Sequence, residues 1–326
     1  MKPISIFAFV AALLSIPLAA PAQHTKPVYL SLPGPGNVQH LAYYVAKEKR
    51  FYEEAGLANV NIVVLRGNAM NVQALLSGSV HYSSAFGPSM HAMFKGEPIR
   101  VLLQIFNQIP FSLITRAEVK RLEDLKGAKI AVTFGGSTYS VLQALLAKHG
   151  YNEKFAEYLN IPDNEGKAVA LVQGRAAAAL FAPPTDRPLL KAGFKRLIYM
   201  GDEFKNVPFS ALQAMQKQIQ EEPDVTQRMV NAVVKALYWI RANREGAIDV
   251  IMKAGRLNER EIAASLYDLM RDAYAPALSP EGLYRRAELE FAIVKEKPNF
   301  KPEPFIDDRF FKAALKSLAR EPGAKS

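Results

Sequence analysis

The amino-acid sequence predicts an α/β protein of two similar lobes, built mainly from parallel sheets with helices on both faces. Three observations lead there. The first is an internal repeat: "YLSLPGPGNVQHLAYYVAKEKRFYEE" from Tyr29 lies over "IAVTFGGSTYSVLQALLAKHGYNEKF" from Ile130 at an offset of 101, and "VQALLSGSVHYSSAFGP" from Val72 lies over "AVALVQGRAAAALFAPP" from Ala168 at an offset of 96. The second is the order within each copy: an apolar run, a Gly- or Pro-rich turn, then apolar residues at helical spacing. Such strand-to-helix units pair in parallel. The third is a change of character after about Ala211, where the remaining segments read as helix.

The elements follow in order. The opening "MKPISIFAFVAALLSIPLAAPAQ" has Lys2, 13 apolar or small residues from Ile4 to Ile16, and small residues at Ala20 and Ala22. That is the layout of a cleavable export signal over residues 1–22, and the run is shorter than the ~20 residues that span a bilayer. Tyr29 to Leu32 reads as a strand, Pro33 to Asn37 as its turn, and the following helix ends near Ala46-Lys47. A short helix closes on Gly78, and the turn Ser83 to Ser89 opens another. The second copy repeats this with an apolar stretch from Lys129 that reads as a buried strand, the turn Gly135 to Tyr139, a helix to Ala147-Lys148, Gly174, and the turn Ala182 to Thr185. "PDVTQRMVNAVVKALYWIRANREGAIDVIMKAG", "NEREIAASLYDLMRDAYA" and "DDRFFKAALKSLA" supply helices whose apolar faces, with Tyr238 and Trp239, read as core. These are expected to pack back on the first lobe. The chain then crosses between lobes near Phe111 to Arg116 and Val207 to Leu212, and two crossings make a hinge. Residues 26–115 plus 209–320 are assigned to lobe 1 and 116–208 to lobe 2.

Composition excludes several chemistries. The 326 residues contain no cysteine, so disulfides, thiolate metal sites and Cys nucleophiles are ruled out. The formal charge of +10 is spread along helices among acidic residues, and no basic block points to nucleic acid. The five histidines, His24, His40, His81, His91 and His149, show no H-E-x-x-H or H-x-E spacing, so they read as surface or structural residues and no metal is expected. There is no G-x-S-x-G elbow, P-loop or G-x-G-x-x-G fingerprint, and Ser84 has no identifiable base. No cofactor and no catalytic residue are expected.

In parallel α/β sheets, ligands bind beyond the carboxyl ends of the strands, where loops meet helix N-termini. The four turns at that place are Pro33 to Asn37, Ser83 to Ser89, Gly135 to Tyr139 and Ala182 to Thr185, two from each copy. If the lobes face each other, these converge on one cleft. Gly135-Gly136-Ser137-Thr138 starts a helix with N–H groups that attract anions, and an ordinary N-cap is the competing reading.

The stretches "AKEKRFYEEAGLANVNIVV", "VQALLSGSVHYSSAFG", "GEPIRVLLQI", "LEDLKGAKIAVTFGGST", "ALVQGRAAAALFAPP" and "LLKAGFKRLIYMGD" resemble the periplasmic substrate-binding proteins of ABC importers, in the nitrate/sulfonate/taurine group that includes thiamine-pyrimidine-type binders. The resemblance implies a type II periplasmic binding fold, a hinge, a small-molecule solute closed between the lobes, delivery to an inner-membrane permease, a periplasmic location and a monomer. Carried over by position, the ligand-facing turns supply Asn37, Arg66, Asn68, Ser84, Gly136, Ser137, Thr138 and Thr185 as polar contacts, with Phe86, Phe134 and Tyr139 as walls. Helix N-termini with hydroxyl residues favour a sulfonate or carboxylate, and Arg66 or Arg187 is the candidate cation; a pyrimidine held between rings is the alternative. Family members usually have Gly where Arg50 stands and Asp at the positions of His81 and Ala177, departures that imply a diverged specificity. Two other roles share this cleft: a sensor that reports to a receptor, and a pyrimidine synthase, whose cysteine-rich motif is missing here.

Overall fold

The structure is a computed structural model that describes residues 23–65, 67–292 and 300–319. The export signal expected over residues 1–22 lies outside them. No helix among the described residues is long and apolar enough to cross a membrane.

Two five-stranded sheets share one plan. The first is built from β1 (Val28–Leu32), β2 (Val60–Val64), β3 (Tyr82–Ser83) and β4 (Ile99–Phe106), with α1 (Leu41–Glu48), α2 (Phe51–Glu54), α3 (Asn68–Leu76) and α4 (Phe86–Phe94) between them. The chain then enters the second sheet: β5 (Ser112–Thr115), β6 (Lys129–Val132), α5 (Ser137–Lys148), β7 (Glu157–Asn160), α6 (Asn164–Val172), β8 (Ala178–Phe181), α7 (Arg187–Lys191), β9 (Lys195–Tyr199) and α8 (Met200–Glu203). It returns through β10 (Ser210–Met215) and ends in α9 (Gln216–Glu221), α10 (Pro223–Ala242), α11 (Arg244–Gly255), α12 (Arg260–Met270), α13 (Pro280–Glu290) and α14 (Arg309–Leu318).

The strand orders are β2-β1-β3-β10-β4 and β7-β6-β8-β5-β9. In each sheet three parallel strands come from the repeat. The fourth, antiparallel strand is the one that follows a crossing from the other sheet. The sequence repeat is therefore structural: α3 and α6 start at Asn68 and Asn164, and β3 and β8 at Tyr82 and Ala178, each pair at the offset of 96. The crossings run over residues 107–111 and 200–209, the first lying just ahead of the stretch that the sequence suggests. Each sheet buries apolar side chains on both faces, as parallel strands flanked by helices require.

Helices α10, α11, α12 and α14 bury their apolar faces in the first-lobe core, as the periodicity implies. Helix α13 does more. It packs on α4 and also on α5 of the second lobe, with Leu283 and Ala287 in the first-lobe core and Leu289 in the second.

The backbone at Arg50 is left-handed, with φ 60°. That is the conformation glycine adopts at least cost, and it accounts for the family's usual Gly at this position.

Candidate functional site

The turns after β1, β3, β6 and β8 converge on a cavity of about 510 Å³ between the two sheets. All four come from the carboxyl ends of parallel strands, where helix starts and exposed backbone meet. Phe111 and Phe209, one on each crossing, line it at the hinge side.

Asn37, Ser84, Phe86, Gly136, Ser137, Thr138, Thr185 and the candidate wall Phe134 line the cavity. Tyr139 does not: its ring packs behind Phe134 at 4.9 Å and against Tyr158 at 5.4 Å, because its place in the first turn of α5 turns it towards the second-lobe core. Arg66 lies outside the described residues. Asn68 begins α3, between the lining residues Gly67 and Ala69, and its side chain lies outside those the structure describes. Arg187 also stays off the cavity; it donates to Ser265 Oγ at 2.9 Å and, with the Lys191–Glu259 ion pair, ties α7 to α12.

The Gly135 turn holds a mixed result. Gly135 has φ 69°, which needs glycine, and Gly136 is an N-cap with no side-chain cap bond. The first-turn N–H groups of Ser137 and Thr138, which a helix cannot use itself, therefore stand on the cavity. The hydroxyls are differently engaged. Thr138 Oγ1 accepts from its own turn at Thr133 N (3.2 Å), and Ser137 Oγ accepts from Arg286 Nη2 (3.2 Å) while donating to Glu290 Oε1 (3.4 Å). Ser137 Oγ is thus engaged on both sides by α13, whereas Thr138 Oγ1 keeps its own proton to donate, beside the backbone N–H groups of the turn.

Arg286 and Glu290 form a buried ion pair on α13, immediately behind the cavity wall. Their neighbours come from both lobes: Ser137 and Ser140 from α5, and His91 from α4, whose Nε2 lies 3.7 Å from Glu290. The guanidinium sits 5.3 Å from the Phe209 ring. A side chain at Gly87 would overlap Arg286 Nη2, so glycine is what allows α4 this close. Burial pushes the Glu290 carboxyl up, but the Arg286 charge and the His91 and Ser140 hydrogen bonds outweigh it and hold the group below its ordinary value. Burial lowers Arg286, which Glu290 offsets in part.

The sequence reading missed Gln39, His40 and Lys167 on the cavity wall. His40, the residue just before α1, has both ring nitrogens buried and without a hydrogen-bond partner among the described residues, as are Gln39 Oε1 and Ser84 Oγ. Burial pulls His40 down to about 3, so it is a neutral imidazole with one donor and one acceptor available. Lys167 is 2% exposed. A signal existed for it: Lys167 shares a helix face with Ala170 and Leu171, an ammonium on an otherwise apolar stripe.

His81 and Ala177 precede β3 and β8 at the amino ends of the strands, away from the cavity. His81 Nδ1 accepts from Tyr29 N at 2.9 Å and its ring stacks on Tyr29. Neither position lines the cavity, so the departures from the family's Asp at His81 and Ala177 do not alter its lining. Among the described residues no group of three metal-binding side chains comes together.

Two α/β lobes of equal strand order, joined by two crossings and enclosing a cavity at their strand ends, define the type II periplasmic binding protein fold. Residues 37–247 match the family described as NMT1/THI5 like, and the chain belongs to that family. It is similar to the riboflavin-binding protein RibY of Chloroflexus aurantiacus, 24% identical over 248 residues that cover 73% of this chain and 70% of RibY. In structure it is similar to the alkanesulfonate-binding protein SsuA from Xanthomonas axonopodis pv. citri bound to MOPS, with TM-score 0.74, 16% identity, and coverage of 88% of this chain and 99% of SsuA. The fold is also that of the desulfurization enzyme DSZB, at TM-score 0.65 and 16% identity over 90% of this chain and 99% of the enzyme.

Proposed function

We propose that the protein is exported to the periplasm, captures a small organic solute with an acidic group between its two lobes, and delivers it unchanged to an ABC permease. The observation that carries this reading is the cavity itself, with the uncapped start of α5 on one side and aromatic walls from both lobes. Thr185 Oγ1 donates to Ala182 O, and Ser84 Oγ has no partner among the described residues, so neither is activated for attack. Ser137 Oγ does donate to a carboxylate, but Arg286 pairs with Glu290 and holds it below its ordinary value, which makes it a weak base. RibY and SsuA, which bind riboflavin and alkanesulfonates by name, support an organic body on the solute.

A thermal-shift screen of sulfonates, carboxylates, amino acids, flavins and pyrimidines identifies the solute, since a ligand at 100 times its Kd adds about 2.7 kcal/mol. Scattering with the saturating hit is then expected to show a smaller radius of gyration than the ligand-free protein. Chemical turnover of the hit by the purified chain overturns the carrier role and favours an enzyme on this fold.

A further inference from the structure

We propose that Lys167 is the cation that receives the acidic group of the solute; this rests on the solute-binding role above. Lys167 stands one turn into α6, lines the cavity, and is 2% exposed. Its Nζ lies 3.5 Å from the carbonyl of Leu180 and 5.7 Å from the centre of the Phe181 ring, at the carboxyl end of β8. Among the described residues no carboxylate lies within ion-pair distance of it. Asp163 spends Oδ1 on capping α6 at Gly166 N (2.6 Å), and Glu165 is exposed.

A buried ammonium held only by a long carbonyl contact and a ring face is incompletely compensated. Arg286 shows the contrast, buried equally deeply but paired with Glu290. An anion entering the cavity supplies what Lys167 lacks, and the N–H groups at the start of α5 line the same cavity.

The groups that face Lys167 fix its titration. Asp163 and Glu165 on its own helix favour the charge, β8 offers only a carbonyl and a ring, and His40 across the cavity is neutral. Burial outweighs the carboxylates and pulls Lys167 down to about 8. A bound anion raises it. Above pH 8 the ligand-free protein has lost this proton, and binding takes it up from solvent.

Benzenesulfonate and benzoate, each beside its uncharged amide, are titrated calorimetrically into the wild-type chain and into Lys167→Gln and Lys167→Met, at pH 6.5 and 9 in buffers of different ionisation enthalpy. The expected result is tighter binding of the anions than of the amides. Anion affinity falls about ten- to a hundredfold in either variant, with amide affinity unchanged. Wild type takes up close to one proton per anion at pH 9 and almost none at pH 6.5; the variants take up none. Lys167→Met keeps the stem and removes an unpaired buried charge, so its ligand-free melting point is expected at or above that of wild type. Amides that bind as well as the anions, or variants that retain anion affinity and proton uptake, overturn the role of Lys167 and leave the carrier reading intact. No binding in either series up to about 10 mM overturns both.

Discussion

The Arg286–Glu290 pair offers a test of how the two lobes are held. Glu290→Gln keeps the size of the side chain and its contacts with Ser137 and Ser140, but leaves the guanidinium buried without a counter-charge. Breaking a buried pair in this way costs about 3–5 kcal/mol, because the remaining ion keeps its desolvation penalty. With an unfolding entropy of about 2.1 cal/mol/K per residue over roughly 300 residues, this lowers the melting point by about 5–8 °C if the chain unfolds as one unit. Calorimetry at pH 7 measures it. Adding Arg286→Met removes the stranded charge, and the double variant is expected to recover at least half of the loss, the signature of direct coupling. The pH dependence follows from the direction of the carboxyl shift. Glu290 is held below its ordinary 4.5, so its contribution is complete above that pH and is lost as pH falls through the lower folded value. The gap between wild type and Glu290→Gln therefore narrows in acid. A single variant melting within about 1 °C of wild type, or a double variant less stable than the single, refutes the assignment of this pair as a structural link between α4, α5 and α13.

Two further outcomes follow from the backbone and from burial. His40, held at about 3 against an ordinary 6.5, resists the proton that the unfolded chain accepts, so stability falls by about 1.4 kcal/mol per pH unit from 6.5 downward; urea midpoints at pH 6.5 and 5 are expected to drop more in wild type than in His40→Gln, and parallel changes count against a buried neutral imidazole. Arg50→Gly relieves a left-handed residue and is expected to raise the melting point by about 1–2 °C, net of the entropy glycine adds to the unfolded chain; a lower melting point refutes it.

The sequence by itself determined the duplicated plan, because the repeat at offset 96 and the alternation of strand, turn and helix are local patterns that secondary structure obeys directly. It also pointed to the cleft: Asn37, Ser84, Phe86, Gly136, Ser137, Thr138 and Thr185 follow from the rule that parallel strands present their ligand turns at one end. What only the tertiary structure decided depends on contacts between segments distant in the chain. The antiparallel strands β5 and β10 carry no mark of their direction in a four- or six-residue apolar run. Tyr139 and Phe134 are both aromatic residues beside one turn, and only the assembled second-lobe core, with Tyr158 in it, shows that one packs inward while the other lines the cavity. Ser137 reads as a ligand hydroxyl until α13, some 150 positions later, brings Arg286 and Glu290 to it. Lys167 likewise became visible as a buried charge once Leu180 and Phe181 closed over it, because desolvation is a property of the assembled interior and of no single stretch of chain.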